Sequence, residues 1–362
     1  MNARRIAGQL LVSGFDGSTL TAQTAGALSR GERAGVILFK RNLPTIDATA
    51  ALTGSIQRAT AQADGDLPAL VAVDEEGGRV SRLPAGEPKL PPMRMLGAIG
   101  EVDLVEAAGR AIGARLLELG FNLDFAPVLD VDSNPNNPVI ADRSFGSSPG
   151  IVAELGIAFA QGLANGGVLA CGKHFPGHGD TDKDSHFDLP VVRHDRARLD
   201  RIELAPFRAA CRAGIDSIMS AHVVIEGIEP GVPATFSRAA MHGLLREELG
   251  FRGVLVSDDL EMRAVSALKP PNESALVAIT AGCDLLLVCE DEDAADSVFA
   301  TLTREIEASP AFRARAEEAA QRVLAMRREA ANRARRGPLP GPSVRQVLEQ
   351  IDEAIGRSTV VP

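Results

Sequence analysis

The stretch VLACGKHFPGHGD, residues 168–180, opens as an unbroken apolar run and closes on Lys173, His174, a Pro–Gly turn and His178. Apolar character that is continuous rather than alternating marks a strand covered on both faces, as in a parallel sheet. The same shape recurs along the chain as GQLLVSG (8–14), GVILF (35–39), ALVAVD (69–74), NLDFAPVLD (122–130), DSIMSAH (216–222), GVLVSDD (253–259) and CDLLLVC (283–289). Amphipathic segments such as IVAELGIAFAQGLANGG and LAPFRAACRAGI separate these runs. Eight alternations of strand and helix within roughly 290 residues predict an α/β fold closed as a (β/α)8 TIM-like barrel rather than an open doubly wound sheet. No glycine-rich dinucleotide fingerprint and no phosphate-binding P-loop follows any of the runs, which counts against a nucleotide site.

Polar residues gather at the C-terminal ends of these runs: Asp74, Asp130, Lys173 with His174, His222 and Asp258. A single Asp behind a strand is ordinarily a helix cap or a turn former. In a closed barrel all such ends converge on one mouth, where catalytic groups lie. So many polar ends on the same side point to an active site.

Composition narrows the function further. Aromatic residues make up only 4% of the chain, with no Trp and no Tyr, which argues against broad stacking platforms for polysaccharide or single-stranded nucleic acid. The net charge of −10 disfavours a nucleic-acid partner. No segment approaches the roughly eighteen apolar residues of a membrane span, so a soluble, cytoplasmic protein is expected. The N-terminal run is too short and too polar for a leader and reads as the first element of the fold. Cys171, Cys211, Cys283 and Cys289 lack paired spacing and read as small buried hydrophobes. Downstream, AEEAAQRVLAMRREAANRARR predicts a strong helix whose arginines gather where the helix dipole favours them, a structural feature. Residues 1–336 are expected to form one barrel domain with a helical extension. GPLPGPS (337–343) reads as a linker, and residues 344–362 as a short terminal helix.

Half of the chain's six histidines fall within KHFPGHGDTDKDSH, 173–186. A metal site is disfavoured there: His174 and His178 have the spacing of helical ligands, but Pro176, Gly177 and Gly179 oppose a helix. An acid–base device fits better. Residues i and i+2 of an extended loop project to one side, so Asp184 can meet His186, fix its tautomer and raise its basicity. That makes a general acid with a pKa near working pH. In GVLVSDDLEM, adjacent carboxylates on a strand point to opposite sides, so one of Asp258 and Asp259 faces the mouth. Asp258, nearer the strand, is the expected nucleophile. VDEEGGRVSRL (73–83) contributes Asp74, Glu75, Glu76, Arg79 and Arg82 around a Gly–Gly turn, and NPVIADRSFG (137–146) adds Arg143. Such short acids and arginines suit charge-assisted bonds to sugar hydroxyls.

Together these stretches resemble glycoside hydrolase family 3, in its single-domain β-N-acetylhexosaminidase branch. The histidine loop carries the resemblance. DEEGGRVSRL, FAPVLDVDSNPNNPVIADRSFG, IMSAHVVI and SDDLEM support it in matching order over roughly residues 30 to 290. The resemblance implies that Asp258 is the nucleophile of a covalent glycosyl–enzyme and that His186, paired with Asp184, is the general acid/base. It also implies that Asp74, Arg82, Arg143, Lys173 and His174 bind N-acetylglucosamine, with no metal and no cofactor. A muropeptide fragment in cell-wall recycling is the implied substrate, and a phosphorylase using phosphate in place of water is the variant left open. Many β-glucosidases of the family take their acid from a second α/β domain. The roughly seventy residues after the last predicted strand are too few for one, so the acid is expected within the barrel. A metal-dependent hydrolase on His174, His178, Asp180 and His186, and a sugar sensor without catalysis, are the competing readings.

Overall fold

A computed structural model describes residues 1–182, 184–185 and 189–359. Eight parallel strands close into a barrel in chain order, with β8 returning to β1. They are β1 (Leu11–Ser13), β2 (Gly35–Ile37), β3 (Leu70–Val73), β4 (Leu123–Asp124), β5 (Leu169–Phe175), β6 (Ser217–Ser220), β7 (Val254–Asp259) and β8 (Leu285–Val288). All eight predicted runs are therefore barrel strands. Their continuous apolar character has the expected cause. Val12, Leu70, Phe125, Leu169, Val256 and Leu285 fill the interior, while the alternating residues Leu11, Val71, Ala170, Leu255 and Leu286 pack against the surrounding helices.

The arginine-rich helix Pro310–Arg336 lies across the N-terminal ends of the strands. Its Val323, Met326 and Ala330 join the cluster that fills the barrel, closing the face opposite the predicted mouth. Its arginines pair with acids at the same end of the barrel: Arg315 and Arg322 with Asp284 and Arg333 with Asp216, each directly before a strand, and Arg327 with Asp64 at the end of helix Ile46–Asp64. The role is structural, as the sequence suggests, but ion pairing adds to the dipole as its cause. Arg327 is fully buried and donates to Pro68 O (2.9 Å), Gln9 Oε1 (2.6 Å) and Asp64 Oδ2 (2.6 Å). Breaking such a pair from one side leaves a buried charge. Asp64 keeps its pair with Arg5, so Arg327→Met is expected to cost about 1–3 kcal/mol in denaturant unfolding, with KM unchanged in the folded fraction.

The segment at 337–343 is held down rather than free. Leu339 N–H donates to Asn165 O (2.8 Å) and Arg110 donates to Pro340 O (3.0 Å). The terminal helix Val344–Thr359 then lays Val344, Val347, Ile351 and Ala354 into the apolar cluster shared with helix Val102–Glu118.

Candidate active site

At the C-terminal mouth of the barrel lies a cavity of about 330 Å³. Its floor is apolar, from Ile37, Phe125, Met219 and Leu287, and its walls carry charge. Two of the strands that supply those charges are irregular at their ends. On β5, Gly172 pairs with Ile218 and Phe175 with Ser220, so three steps on β5 match two on β6. On β7, Val256 pairs with Leu285 and Asp259 with Leu287, again three steps against two. An extra residue in a strand breaks the alternation of its side chains. Hence both members of each neighbouring pair, Lys173 with His174 and Asp258 with Asp259, line the same cavity. The expectation that only one of Asp258 and Asp259 faces the mouth is corrected by this irregularity.

Lys173 Nζ sits 2.6 Å from Asp74 Oδ1 and 2.6 Å from Glu76 Oε1. Arg143 grips the same Glu76 through both carboxylate oxygens, Nε to Oε2 and Nη2 to Oε1, each at 2.8 Å. Burial pushes the Glu76 carboxyl up, but Arg143 and Lys173 outweigh it and hold the group below the usual carboxylate range. Burial likewise opposes charge on Lys173, and Asp74 and Glu76 overcome it, holding the ammonium above its ordinary value. Two cations and two anions thus form a fixed array whose remaining donors and acceptors face a wet cavity.

Asp130, fully buried, is the second hub. It accepts from the backbone N–H of His174 (3.1 Å) and of His178 (2.6 Å), and it meets His174 Nδ1 at 2.7 Å. That leaves His174 Nε2 for the cavity, a ring oriented by a carboxylate behind it. Arg82 lines the rim, and its buried Nε has no hydrogen-bond partner among the described residues. Glu75 folds away from the cavity and accepts from the backbone N–H of Arg82 (2.8 Å) and Leu83 (3.2 Å).

At the end of β7, Asp258 Oδ1 accepts from the N–H of Asp259 (2.8 Å). Asp259 Oδ1 accepts from the N–H groups of Glu261 (3.1 Å) and Cys289 (3.2 Å). Burial, with Glu261 and Asp258 nearby, pushes the Asp259 carboxyl up to about 7. His222 does not line the cavity: its Nε2 donates to the carbonyl of Asp259 (2.9 Å), and its Nδ1 meets Thr235 Oγ1 at 2.8 Å.

The loop after β5 is seated closely on the β4 loop. A Cβ at Gly179 would fall 1.8 Å from Val131 O, so only glycine fits there. Asp184 and Ser185 line the cavity, and His186 lies outside the described residues. The ring nitrogens of His178 meet Thr181 Oγ1 (2.7 Å) and Ser185 Oγ (3.0 Å), a hydrogen-bonded role instead of the ligand role weighed from sequence. Asp180 faces His194, and with Glu203 they form an acidic–imidazole group around Arg198, 3.2 Å from Glu203 and 3.9 Å from Asp180.

With this geometry in view, comparison with known proteins decides the family. Residues 4–326 match the model of the glycosyl hydrolase family 3 N-terminal domain. The chain belongs to glycoside hydrolase family 3. A β-hexosaminidase of Nitrosomonas eutropha is 39% identical over 298 residues, 81% of this chain and 84% of that protein. Among solved structures, a family 3 β-N-acetylglucosaminidase from a Paenibacillus species superposes with a TM-score of 0.91 at 38% identity, covering 98% of this chain and 69% of that one. NagZ from Neisseria gonorrhoeae, in complex with N-trifluoroacetyl-D-glucosamine, gives a TM-score of 0.73 at 32% identity, covering 87% of this chain and 98% of that one.

This family 3 barrel is a glycoside hydrolase. The family match extends past the region legible from motifs, to residue 326 in the closing helix. The described residues given a catalytic or sugar-binding role from the resemblance, Asp74, Arg82, Arg143, Lys173, His174, Asp184 and Asp258, line the same cavity, whereas the strand-end residues Asp130 and His222 stand behind it. Two hubs were underrated by sequence reasoning. In the sequence Glu76 is one of three adjacent acids with nothing local to set it above its neighbours, and Asp130 reads only as a strand-end residue. The usable signal was their company: a buried acid beside Lys and Arg needs partners.

Proposed function

We propose that this chain is a retaining exo-β-N-acetylglucosaminidase working through a covalent glycosyl–enzyme at Asp258. A carboxylate oxygen of Asp258 attacks C1 from the face opposite the aglycone. As the C1–O bond breaks, its electron pair goes to the aglycone oxygen, which takes a proton from His186, oriented by Asp184. Water then gives its proton back to His186, attacks C1 and releases the Asp258 carboxylate, restoring the anomer of the substrate. Lys173, Asp74, Arg143, His174 and Arg82 hold the sugar, and Glu76 and Asp130 hold those residues. No metal or cofactor enters the scheme.

The observation that carries this reading is the shared cavity. Asp258 and the Asp74–Glu76–Lys173–Arg143 array line one space at the mouth of a family 3 barrel. The acetamido sugar is supported by relatives named for β-hexosaminidase and β-N-acetylglucosaminidase. The finer reading is a small muropeptide fragment, N-acetylglucosamine linked to an anhydro-N-acetylmuramic acid, cleaved in the cytoplasm during cell-wall recycling. No helix among the described residues is long and apolar enough to cross a membrane.

Nitrophenol release from aryl β-N-acetylglucosaminide and aryl β-glucoside, with and without phosphate, tests the proposal. The expected result is a preference of about 100-fold or more in kcat/KM for the acetamido sugar, indifferent to phosphate. Phosphate-dependent release would make the enzyme a phosphorylase. Equal turnover of both glycosides would make it a broader β-glycosidase, and turnover of neither would sink the reading.

A further inference from the structure

His178 is 2% exposed, yet it borders the cavity and both ring nitrogens are engaged. Its backbone is fixed first. The N–H donates to Asp130 Oδ1 (2.6 Å), and the carbonyl accepts from Asn137 Nδ2 (2.8 Å) and from the Thr181 hydroxyl (3.0 Å). Burial and the neighbouring His174 ring push its pKa down to about 4, so the ring is neutral at working pH. A neutral imidazole has one N–H and one lone pair. Thr181 Oγ1 lies within hydrogen-bond distance of both Nδ1 and the His178 carbonyl, so one ring nitrogen donates, the other accepts, and Nε2 shares a hydrogen bond with the Ser185 hydroxyl in either tautomer. Ser185 is also held from the other side, since its carbonyl accepts from Ala264 N–H (3.3 Å), just beyond the β7 end that carries Asp258. One serine therefore links the base of the loop to the nucleophile's strand end. It is also the residue between Asp184 and His186.

We infer that the His178–Ser185 hydrogen bond is a positioning contact that holds Asp184, and with it the backbone leading into the acid/base residue His186, at the cavity. This rests on the reading of that pair as the acid/base. His178 itself neither transfers a proton nor binds a metal. Its contribution reaches the reaction through Ser185, whose side chain is tied down to the scaffold while its two neighbours serve the glycosidic oxygen. A misplaced acid harms only those substrates whose leaving groups need its proton.

The test is kcat/KM over a leaving-group series, from a dinitrophenyl β-N-acetylglucosaminide to an alkyl or sugar aglycone. Ser185→Ala removes one hydroxyl. It is expected to lower kcat/KM about 30-fold or more on the poor leaving groups and less than about 3-fold on dinitrophenyl, a fraction of the 10²–10⁴ that an acid supplies. His178→Ala should show the same slope, and His178→Gln, which restores a group able to hydrogen-bond to Ser185, should recover part of it. The double variant His178→Ala/Ser185→Ala should be no worse than the poorer single, because both remove one contact. Equal losses across the series for Ser185→Ala, or additive losses in the double variant, would overturn the inference. Asp184→Asn is the control. If it too lacks leaving-group dependence, the acid/base reading fails. If it shows the dependence and Ser185→Ala does not, only the positioning contact fails.

Discussion

Asp258→Ala is expected to lower kcat/KM on aryl β-N-acetylglucosaminide by about 10⁴-fold, some 5.4 kcal/mol of transition-state stabilisation, while leaving thermal unfolding close to wild type. On the proposed reading the carboxylate at this position forms the bond to C1, so its loss removes a step rather than weakening one. The fold should tolerate the change because Asp258 is the penultimate residue of its strand and lines the cavity. Azide supplied in solution should restore part of the rate on an activated substrate by entering the space of the lost carboxylate. Entry from that face yields the α-glycosyl azide, an assignment readable by NMR. Asp259 is the rival, since it lines the same cavity. Two backbone N–H groups already occupy its Oδ1, and burial pushes its carboxyl up to about 7, so much of it is protonated near neutral pH and a poor nucleophile. Asp259→Asn, which resembles that protonated form, should keep activity within about tenfold. More than a few per cent of activity left in Asp258→Ala, together with collapse in Asp259→Asn, would move the nucleophile to Asp259.

The contrast between these neighbours marks the boundary of what sequence could say. Apolar runs covered on both faces made the strands and their order legible, and the polar ends followed because every parallel strand delivers its C-terminus to the same mouth. Parity was the part that failed. That both Asp258 and Asp259 reach the cavity depends on a register slip against β8, a tertiary event that leaves no local mark in SDDLEM. Nor does the local sequence rank Glu75 against Glu76. Past Val73 the chain leaves the strand and turns at Gly77 and Gly78, with φ of 86° and 54°, so strand alternation no longer assigns sides. Glu75 ends on the backbone of Arg82 and Leu83, and Glu76 on Lys173 and Arg143. The closing helix was recognisable as a helix, but the acids awaiting its arginines stand far back in the chain: Asp64, Asp216 and Asp284. Local pattern finds elements; partners distant in sequence decide what each polar residue does.

Lys173→Met should damage stability and activity together, and pH should separate the two effects. Methionine keeps much of the stem's volume and removes the charge. What remains is Asp74 and the buried Glu76, each having lost a cation 2.6 Å away, with Glu76 left to Arg143 alone. Removing one partner from a buried ion pair costs about 3–5 kcal/mol, and that is the expected loss in denaturant unfolding at pH 7. The sign of its pH dependence follows from Glu76. In the folded wild type this carboxyl holds its proton less tightly than it would in the unfolded chain, because Arg143 and Lys173 favour the anion. Its contribution to stability is therefore present above the ordinary Glu range, near 4.3, and fades as pH falls below that toward the folded value. The gap between Lys173→Met and wild type should accordingly narrow between about pH 5 and pH 3, where Glu76 of the variant takes up a proton and no longer misses the cation. On the proposed reading, the same substitution removes one charged contact to the sugar and loosens a second at Asp74. At ~2 kcal/mol each, they correspond to about a 10³-fold loss in kcat/KM. A stability gap that stays constant across this pH range would mean that Lys173 acts through packing rather than charge. Activity within tenfold of wild type would remove it from the sugar's binding site.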